Sequence, residues 1–357
     1  MLFWKDGAVK FAISIAITSS LFGAGSFSSG AQDHDQLKSL SWSPKGDRIL
    51  YGGYDGNLRI KNVRTGELMT VRRTGTPFIL EVQWSPDGQR LLAITDKTIE
   101  LLDVNGKEIL LIVANPPLRP APHPQFGPNN ITAVFSPDGT RLALAGWIDG
   151  RVQILDAHTG RTEHLFTTIN RMVSSISWSP NGRRIAAGVW DKTIRILDVD
   201  SHEEKTKIEV AVSGWVKVKF SPDGKRLAWH GFRSSSWLRE IESGDERRID
   251  IKDGTHSIDW SPGGRELAVL GWRTLDIWDA ETGEKNVSFS VKEWMDEVFW
   301  SPDGRYLAAL SNFSGRASIW NVRTRKNRTM NNANPLVFSP TMEWISIRDE
   351  VRVFSGF

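Results

Sequence analysis

The chain of 357 residues contains no cysteine. This absence excludes disulfide bonds, thiolate metal sites, a cysteine nucleophile and lipid attachment at an N-terminal cysteine. The chain also lacks a large excess of either charge, because 45 Lys and Arg residues nearly balance 42 Asp and Glu residues and leave a formal net charge of +3. So small and scattered an excess does not predict a basic face, and we therefore expect no nucleic-acid partner.

Signatures of catalysis and metal binding are missing as well. The sequence has no Gly-x-Ser-x-Gly, Gly-x4-Gly-Lys or His-Glu-x-x-His motif. Its seven histidines occupy unrelated positions along the chain, which predicts neither a metal site nor a cofactor. Tyrosine is rare too, with three copies beside 16 tryptophans, so one structural position must be filled by Trp repeatedly.

That position is an aromatic residue followed by Ser-Pro, which occurs eight times at intervals near forty residues. The copies begin at Trp42, Trp84, Phe135, Trp178, Phe220, Trp260, Trp300 and Phe338. A period of this length is typical of a repeat architecture in which one supersecondary unit is stacked many times. We therefore expect a single domain over 32–357.

Residues 173–212 illustrate one repeat. Val173–Trp178 and 184–189 are short apolar runs on either side of Ser179-Pro180-Asn181-Gly182, a sequence that favours a β-turn. Two further runs, 193–197 and 207–212, alternate apolar and polar residues as strands do. Four antiparallel strands make one sheet, and stacking the copies radially buries the apolar faces of each. The pattern predicts an all-β β-propeller with eight four-stranded blades.

The third strands carry a family resemblance. Ile277-Trp278-Asp279 and Ile319-Trp320-Asn321 resemble the ending that gives WD-repeat propellers their name, and Leu-Asp replaces it at 102–103, 155–156 and 197–198. The resemblance covers about residues 36–354. The family's Gly-His dipeptide before the first strand is absent, so the chain looks more like the degenerate bacterial members.

The N-terminal residues 1–31 lie outside the repeats. Lys5 and Lys10 precede an apolar stretch, and Ser29-Gly30-Ala31 has the form that a signal peptidase accepts. This order predicts an exported protein without an integral membrane segment after cleavage. Alternatively, residues 8–18 form a strand in a cytoplasmic protein. Such a strand would complete the last blade, which otherwise has three strands, as N-terminal strands commonly do in this family.

Two features point to a contact surface. The first is a Pro-rich insertion at 115–130, where proline at this density favours an extended loop. The second is a set of aromatic residues with neighbouring arginines that family geometry places on one rim. Its members are Tyr54, Phe78, Trp147, Trp190, Trp215, Phe232, Trp272, Trp294, Arg171, Arg233 and Arg273.

Exposed aromatic residues and arginines are enriched at binding hot spots, so this set predicts a non-catalytic, monomeric scaffold that binds a protein or peptide. Each ring could instead seal two neighbouring blades. A second functional class also remains open, namely a propeller that binds a sugar or another small molecule, with an enzyme as the weaker variant. For that variant, channel-facing groups such as Glu81, Asp259 and Glu297 would form the site.

Overall fold

The Ser-Pro motif ends one strand and starts the next through a fixed set of hydrogen bonds. At Ser179 the Oγ accepts the backbone N–H of Arg184 at 2.9 Å and donates to Asn181 Oδ1 at 2.7 Å. Gly182 has a φ of 69° and donates its N–H to the Ser179 carbonyl at 2.9 Å, a conformation that glycine adopts without strain. The serine hydroxyl accepts the same backbone N–H, five residues ahead, in all of the first seven copies.

The computed structural model describes most of the repeat region. The described residues are 37–53, 55–76, 79–95, 97–113, 132–146, 150–167, 169, 171–212, 214–231, 234–251, 254–311, 314, 316–330, 336–339, 344–347 and 351–354. The predicted signal peptide or closing strand at 1–31 and the Pro-rich insertion at 115–130 lie outside them. The described part of the chain holds no helix that could cross a membrane.

The first four blades are built from sixteen strands in chain order. Blade 1 has β1 (Leu37–Trp42), β2 (Arg48–Gly53), β3 (Asn57–Asn62) and β4 (Leu68–Arg73). Blade 2 has β5 (Ile79–Trp84), β6 (Arg90–Thr95), β7 (Thr98–Asp103) and β8 (Glu108–Val113). Blade 3 has β9 (Thr132–Phe135), β10 (Arg141–Ala145), β11 (Val152–Asp156) and β12 (Thr162–Phe166). Blade 4 has β13 (Val173–Trp178), β14 (Arg184–Val189), β15 (Thr193–Asp198) and β16 (Glu203–Glu209).

The remaining strands form three more blades and a shorter sheet. Blade 5 has β17 (Val216–Phe220), β18 (Arg226–Gly231), β19 (Ser236–Glu240) and β20 (Glu246–Ile249). Blade 6 has β21 (Thr255–Trp260), β22 (Glu266–Gly271), β23 (Thr274–Asp279) and β24 (Lys285–Ser290). Blade 7 has β25 (Glu297–Trp300), β26 (Tyr306–Ser311), β27 (Arg316–Asn321) and β28 (Asn327–Met330). The terminal sheet has β29 (Leu336–Phe338), β30 (Trp344–Ile347) and β31 (Val351–Phe354).

The all-β propeller is confirmed, but the prediction of eight four-stranded blades is wrong. Seven sheets have four antiparallel strands in sequential order, and the eighth motif copy begins a sheet of three strands. The Ser-Pro motif specifies only the first hairpin of a repeat, because its hydrogen bonds join the first strand to the second. The number of motifs is therefore the number of first hairpins, and the described residues form seven complete blades.

Neighbouring blades are joined by apolar cores that contain the motif aromatics. Trp178 packs among residues of blades 3 and 4, and its indole N–H donates to the Val134 carbonyl at 3.0 Å. Phe338 of the terminal sheet packs against Phe299 of blade 7 and against the core of blade 1. The terminal sheet thus lies between the last blade and the first.

Hydrogen bonds between innermost strands add to these cores. Ser175 and Ser177 of blade 4 accept the backbone N–H groups of Val218 and Phe220 of blade 5 at 3.0 and 3.1 Å. Blades 1 and 2 use Ser39 and Ser41 in the same way. The hydroxyls lie three and one residues before the motif aromatic, on the side of the strand that faces the next blade.

Candidate functional site

The loops between second and third strands and the connections between blades lie at one end of the blades. Trp190 donates its backbone N–H to the Met172 carbonyl at 2.9 Å, and Val291 donates to the Arg273 carbonyl at 2.8 Å. We call this end the reversal rim. Its described residues are 55–56, 74–76, 97, 146, 150–151, 167, 169, 171–172, 190–192, 210–212, 214–215, 234–235, 250–251, 254, 272–273, 291–296 and 314.

The most exposed aromatic side chain of the reversal rim is Trp272. It is 42% exposed and meets Trp294 in an edge-to-face contact, with ring centroids 4.7 Å apart and planes at 84°. Trp294 is held by its indole N–H, which donates to Asp296 Oδ1 at 2.6 Å, and by the ring of His256 at 4.3 Å. We call these two indoles the tryptophan corner. They hold each other in place, and Trp272 keeps part of its ring open to solvent.

Trp190 and Trp215 have a different environment. Both side chains are half-buried, and their indole nitrogens are buried. Trp215 also packs edge-to-face on His230, with centroids 5.4 Å apart. These two rings resemble seals between blades more than free contact residues.

The two described arginines of the predicted set differ from these rings in being exposed. Arg171 and Arg273 both lie on the reversal rim with exposed side chains. The structure thus brings six members of the predicted set to this end of the blades. The other five members, Tyr54, Phe78, Trp147, Phe232 and Arg233, lie outside the described residues.

The predicted channel residues fall into two groups. Asp259 is structural, because its carboxylate accepts the backbone N–H of Trp300 at 2.8 Å and the Lys219 ammonium at 2.9 Å. Glu297 of blade 7 instead meets Lys217 of blade 5, with Nζ and Oε1 3.9 Å apart. A contact that skips blade 6 can form only across the inner side of the ring, so these two side chains face the channel.

Glu81 of blade 2 interacts electrostatically with both of these side chains. We call Glu81, Lys217 and Glu297 the channel group. Burial raises the pKa of the Glu81 carboxyl to about 7. The hydrogen bond from Gln83 Nε2, 2.7 Å long, and the charge of Lys217 oppose this shift, whereas the charge of Glu297 adds to it. The charge of Glu297 thus favours the protonated form of Glu81, whereas the charge of Lys217 favours its ionised form.

Two histidines that the sequence did not single out interact with each other electrostatically, and one of them lies beside Lys217. His230 is fully buried and stands opposite Lys217 in the pairing of β17 with β18. Burial lowers the pKa of His230 to about 3, and the charge of Lys217 adds to this shift. His256 is also buried and contacts Trp294, so it connects the channel group to the tryptophan corner.

A signal for the channel group exists in the sequence. Glu81, Lys217 and Glu297 all lie three residues before their motif aromatic, where blades 1, 4 and 6 have Ser39, Ser175 and Ser257. Comparing this position between repeats would have revealed the three charged exceptions. No group of three or more His, Asp or Glu side chains within the described ranges has an arrangement that could hold a metal ion.

Comparisons with known proteins agree with this fold. Residues 27–60 and 161–198 match the family model of the WD domain, G-beta repeat, and residues 231–347 match that of eukaryotic translation initiation factor eIF2A. WD repeat-containing protein AAC3 of Dictyostelium discoideum is 27% identical over 175 residues, which cover 47% of this chain and 34% of that protein.

Two further relatives have names that refer to assembly or binding. Eukaryotic translation initiation factor 3 subunit I of Aspergillus oryzae is 28% identical over 166 residues, 43% of this chain and 47% of that protein. Retinoblastoma-binding protein 5 homolog of Drosophila melanogaster is 28% identical over 207 residues, 53% of this chain and 40% of that protein. The chain thus matches less than half the length of each of these relatives.

Proposed function

We propose that this propeller of WD40 repeats is a non-catalytic scaffold that binds a protein or peptide through the reversal rim. The observation that carries the proposal is the tryptophan corner, where Trp272 stays 42% exposed although it packs on Trp294. A large exposed ring held in place by its neighbours loses little conformational freedom when a partner covers it. The similarity to a translation factor subunit and to a protein named for binding another supports this function.

Affinity capture with the full chain tests the proposal. We expect Trp272→Ala to reduce the recovery of specifically captured proteins about tenfold or more, as truncation of a hot-spot tryptophan does. Leu68→Ala is the matched control, because Leu68 is 55% exposed on an outer strand and lies outside the reversal rim. Equal capture by wild type and both variants, measured by quantitative mass spectrometry, would contradict the proposal.

The channel group favours a second candidate, a propeller that binds a sugar or another small molecule. The supporting observation is the buried carboxyl of Glu81, with its raised pKa, beside Glu297 and Lys217. A screen of monosaccharides, disaccharides and small amines by thermal shift would test this candidate. It requires a ligand that stabilises the wild type and not Glu297→Gln, and it fails if both proteins respond equally.

We also propose that the chain is exported and monomeric and has no nucleic-acid partner. The charge and apolar order of residues 1–31 supports export, and the missing Gly-His dipeptide supports the degenerate bacterial type of repeat. N-terminal sequencing of the protein from its native host tests export, because an intact start would contradict cleavage. Sedimentation equilibrium tests the monomer.

A further inference from the structure

The reversal rim carries charge of one sign that is not neutralised by ion pairs. Its described loops contain six exposed cationic side chains, Lys97, Arg151, Arg171, Lys192, Arg273 and Lys292. Five of them, all except Arg151, have no ion-pair partner among the residues that the structure describes. They are spread over blades 2, 3, 4 and 6 and therefore surround a large part of the rim.

The carboxylates of the same described loops are all held by local partners. Asp55 and Asp191 bind Arg59 and Arg195, each four residues ahead on the following strand. Asp250 lies 2.7 Å from Arg248, and Glu293 lies 2.9 Å from Arg316. Asp296 accepts the Trp294 indole N–H. An indole N–H carries no charge, so Asp296 remains negative, but the cations without ion pairs outnumber it among the described residues of these loops.

The opposite end of the blades carries many charges of both signs. Its Ser-Pro turns and the loops between third and fourth strands expose both signs together, for example Asp223 beside Lys225, and Asp303 beside Arg305 at 3.3 Å. The turn between the third and fourth strands of blade 7 also exposes three cations that have no ion-pair partner among the described residues, Arg323, Arg325 and Lys326. Unpaired cations therefore occur at both ends, and the reversal rim is the end where they accompany the tryptophan corner.

From this charge distribution we propose that the reversal rim binds an acidic protein segment, with Asp and Glu residues flanking one apolar or aromatic anchor. The proposal rests on the proposed scaffold function and adds the chemical class of the partner. Trp272 takes the anchor, and Arg273 and Lys292, which follow the second strand and the fourth strand of the same blade, meet its acidic flanks. Complementary charge of this kind steers association and selects against basic partners.

The same features favour a protein segment over a nucleic acid. Trp272 is the only large aromatic side chain exposed among the described residues, whereas single-stranded nucleic acids require several stacking rings in series. A nucleic-acid backbone also requires a continuous row of cations, and held carboxylates interrupt the row here. One anchor with acidic flanks fits the observed pattern.

Selection from a random peptide library against the full chain tests the proposal. We expect the selected peptides to be enriched in Asp and Glu around an apolar residue, relative to the input library. The double variant R273E/K292E should bind the selected peptides about tenfold or more weakly, because it reverses the charge that meets their flanks. Raising the salt concentration should weaken wild-type binding. Interactions between exposed charges are screened beyond a distance of about 8 Å at physiological ionic strength, and added salt shortens this distance.

The matched control is K225E/R265E, which makes the same change of charge in the Ser-Pro turns of blades 5 and 6 at the opposite end. It should bind the selected peptides as the wild type does. An equal loss in both double variants would overturn the proposal, because net charge and not the rim would then explain the binding.

Three further outcomes decide between this proposal, the scaffold function and a nucleic-acid surface. If the selected peptides are neutral or basic but still require Trp272, the acidic partner is wrong and the scaffold function stands. If no peptide is selected and Trp272→Ala changes no captured protein, both are wrong. If a mixed-sequence oligonucleotide binds more tightly than the best acidic peptide and R273E/K292E abolishes this binding, the rim is a nucleic-acid surface and the proposal is overturned.

Discussion

At the scale of single residues, the tryptophans of this chain serve two purposes that depend on burial. Trp178 is 7% exposed between blades 3 and 4, whereas Trp272 is 42% exposed on the reversal rim. Both are large apolar rings, so the difference lies in what surrounds them. A ring packed between two sheets contributes to stability, and a ring that remains open can contribute to binding.

Truncating these two residues should therefore have different effects. We expect Trp178→Ala to lower the free energy of unfolding by about 3–5 kcal/mol, because it removes a buried ring and leaves a cavity. Trp272→Ala should lower it by about 1 kcal/mol or less, as surface substitutions do. Chemical denaturation of both variants measures the difference. A similar loss in both would mean that the tryptophan corner is a seal between blades 6 and 7.

Glu81 of the channel group and the neighbouring His230 make stability depend on pH in opposite directions. The pKa of Glu81 is raised from 4.5 to about 7, so between these values the folded protein keeps a proton that the unfolded chain releases. Its contribution to stability is present below pH 4.5 and is lost as the pH rises through 7. The pKa of His230 is lowered from 6.5 to about 3, so its contribution is present above pH 6.5 and is lost as the pH falls.

Removing one of the two titrating groups should reveal how the other makes stability depend on pH. In Glu81→Gln the opposing contribution of Glu81 is gone, so between pH 4.5 and 6.5 the variant should gain stability with rising pH relative to the wild type. The relative change should reach at most about 1.4 kcal/mol per pH unit. Denaturation curves across this range measure it, with the exposed Glu242→Gln as control. Parallel profiles of wild type and Glu81→Gln would contradict the shifted pKa.

At the scale of structural elements, hydroxyl groups join neighbouring blades along the innermost strands. Ser175 accepts the Val218 N–H and lies 2.8 Å from the Val216 carbonyl. Replacing it with alanine leaves a backbone N–H of the next blade without this acceptor. We expect Ser175→Ala to cost about 1–3 kcal/mol, the usual range for an unsatisfied buried group.

Thermal and chemical unfolding of Ser175→Ala provide the measurement. Ser314→Ala is the control, since Ser314 is exposed and its hydrogen bond to Ser311 uses the backbone amide. If the two substitutions have the same effect, the hydroxyl bonds between blades contribute nothing beyond the apolar cores.

Some element boundaries depend on pairing and not on hydrophobic pattern. Alternation predicted a strand over 207–212, whereas β16 runs from Glu203 to Glu209. The turn after Asp198 sets Asp198 opposite Glu203 and so fixes where pairing begins. Val210 and Val212 continue the alternation because they are buried against blade 5. The alternation therefore predicted which of these side chains are buried, but it did not predict which residues pair in the strand.

At the scale of the whole molecule, the terminal sheet connects the first blade to the seventh. Phe338 is 5% exposed and joins residues of blades 1 and 7 in one core. We expect Phe338→Ala to destabilise this junction by about 3–5 kcal/mol. Because stability differs between regions of a repeat protein, the loss should be greatest near the substitution.

Native-state hydrogen exchange measures where protection is lost. In Phe338→Ala, amides of β1 and β25 should exchange faster while those of β13 and β14 change little. Phe289→Ala is the matched control, because it removes a buried ring between blades 6 and 7 and should leave β1 unaffected. Uniform loss of protection around the ring would show that the terminal sheet has no special role in closure.

The local structure of each repeat could be predicted from the sequence alone. The Ser-Pro turns, the first and second strands and the burial of the motif aromatics all follow from residues that are near one another in the chain, because one hairpin contains the hydrogen bonds that determine them. The register in the repeat also predicted the positions of Trp190 and Trp272, since the same offset from the motif aromatic places both on the reversal rim. Their division into Trp272, which is exposed, and Trp190, which is half-buried, was not visible.

Only the tertiary structure decided what the ring brings together. Glu81, Lys217 and Glu297 come from blades 2, 5 and 7, and their charges interact because the blades curve around a common axis. The position of the terminal sheet between blades 1 and 7 likewise depends on contacts that Phe338 makes with residues distant in sequence. A repeated motif determines the unit, because its hydrogen bonds are local. Closure depends on contacts between units that are distant in sequence, and no single repeat encodes them.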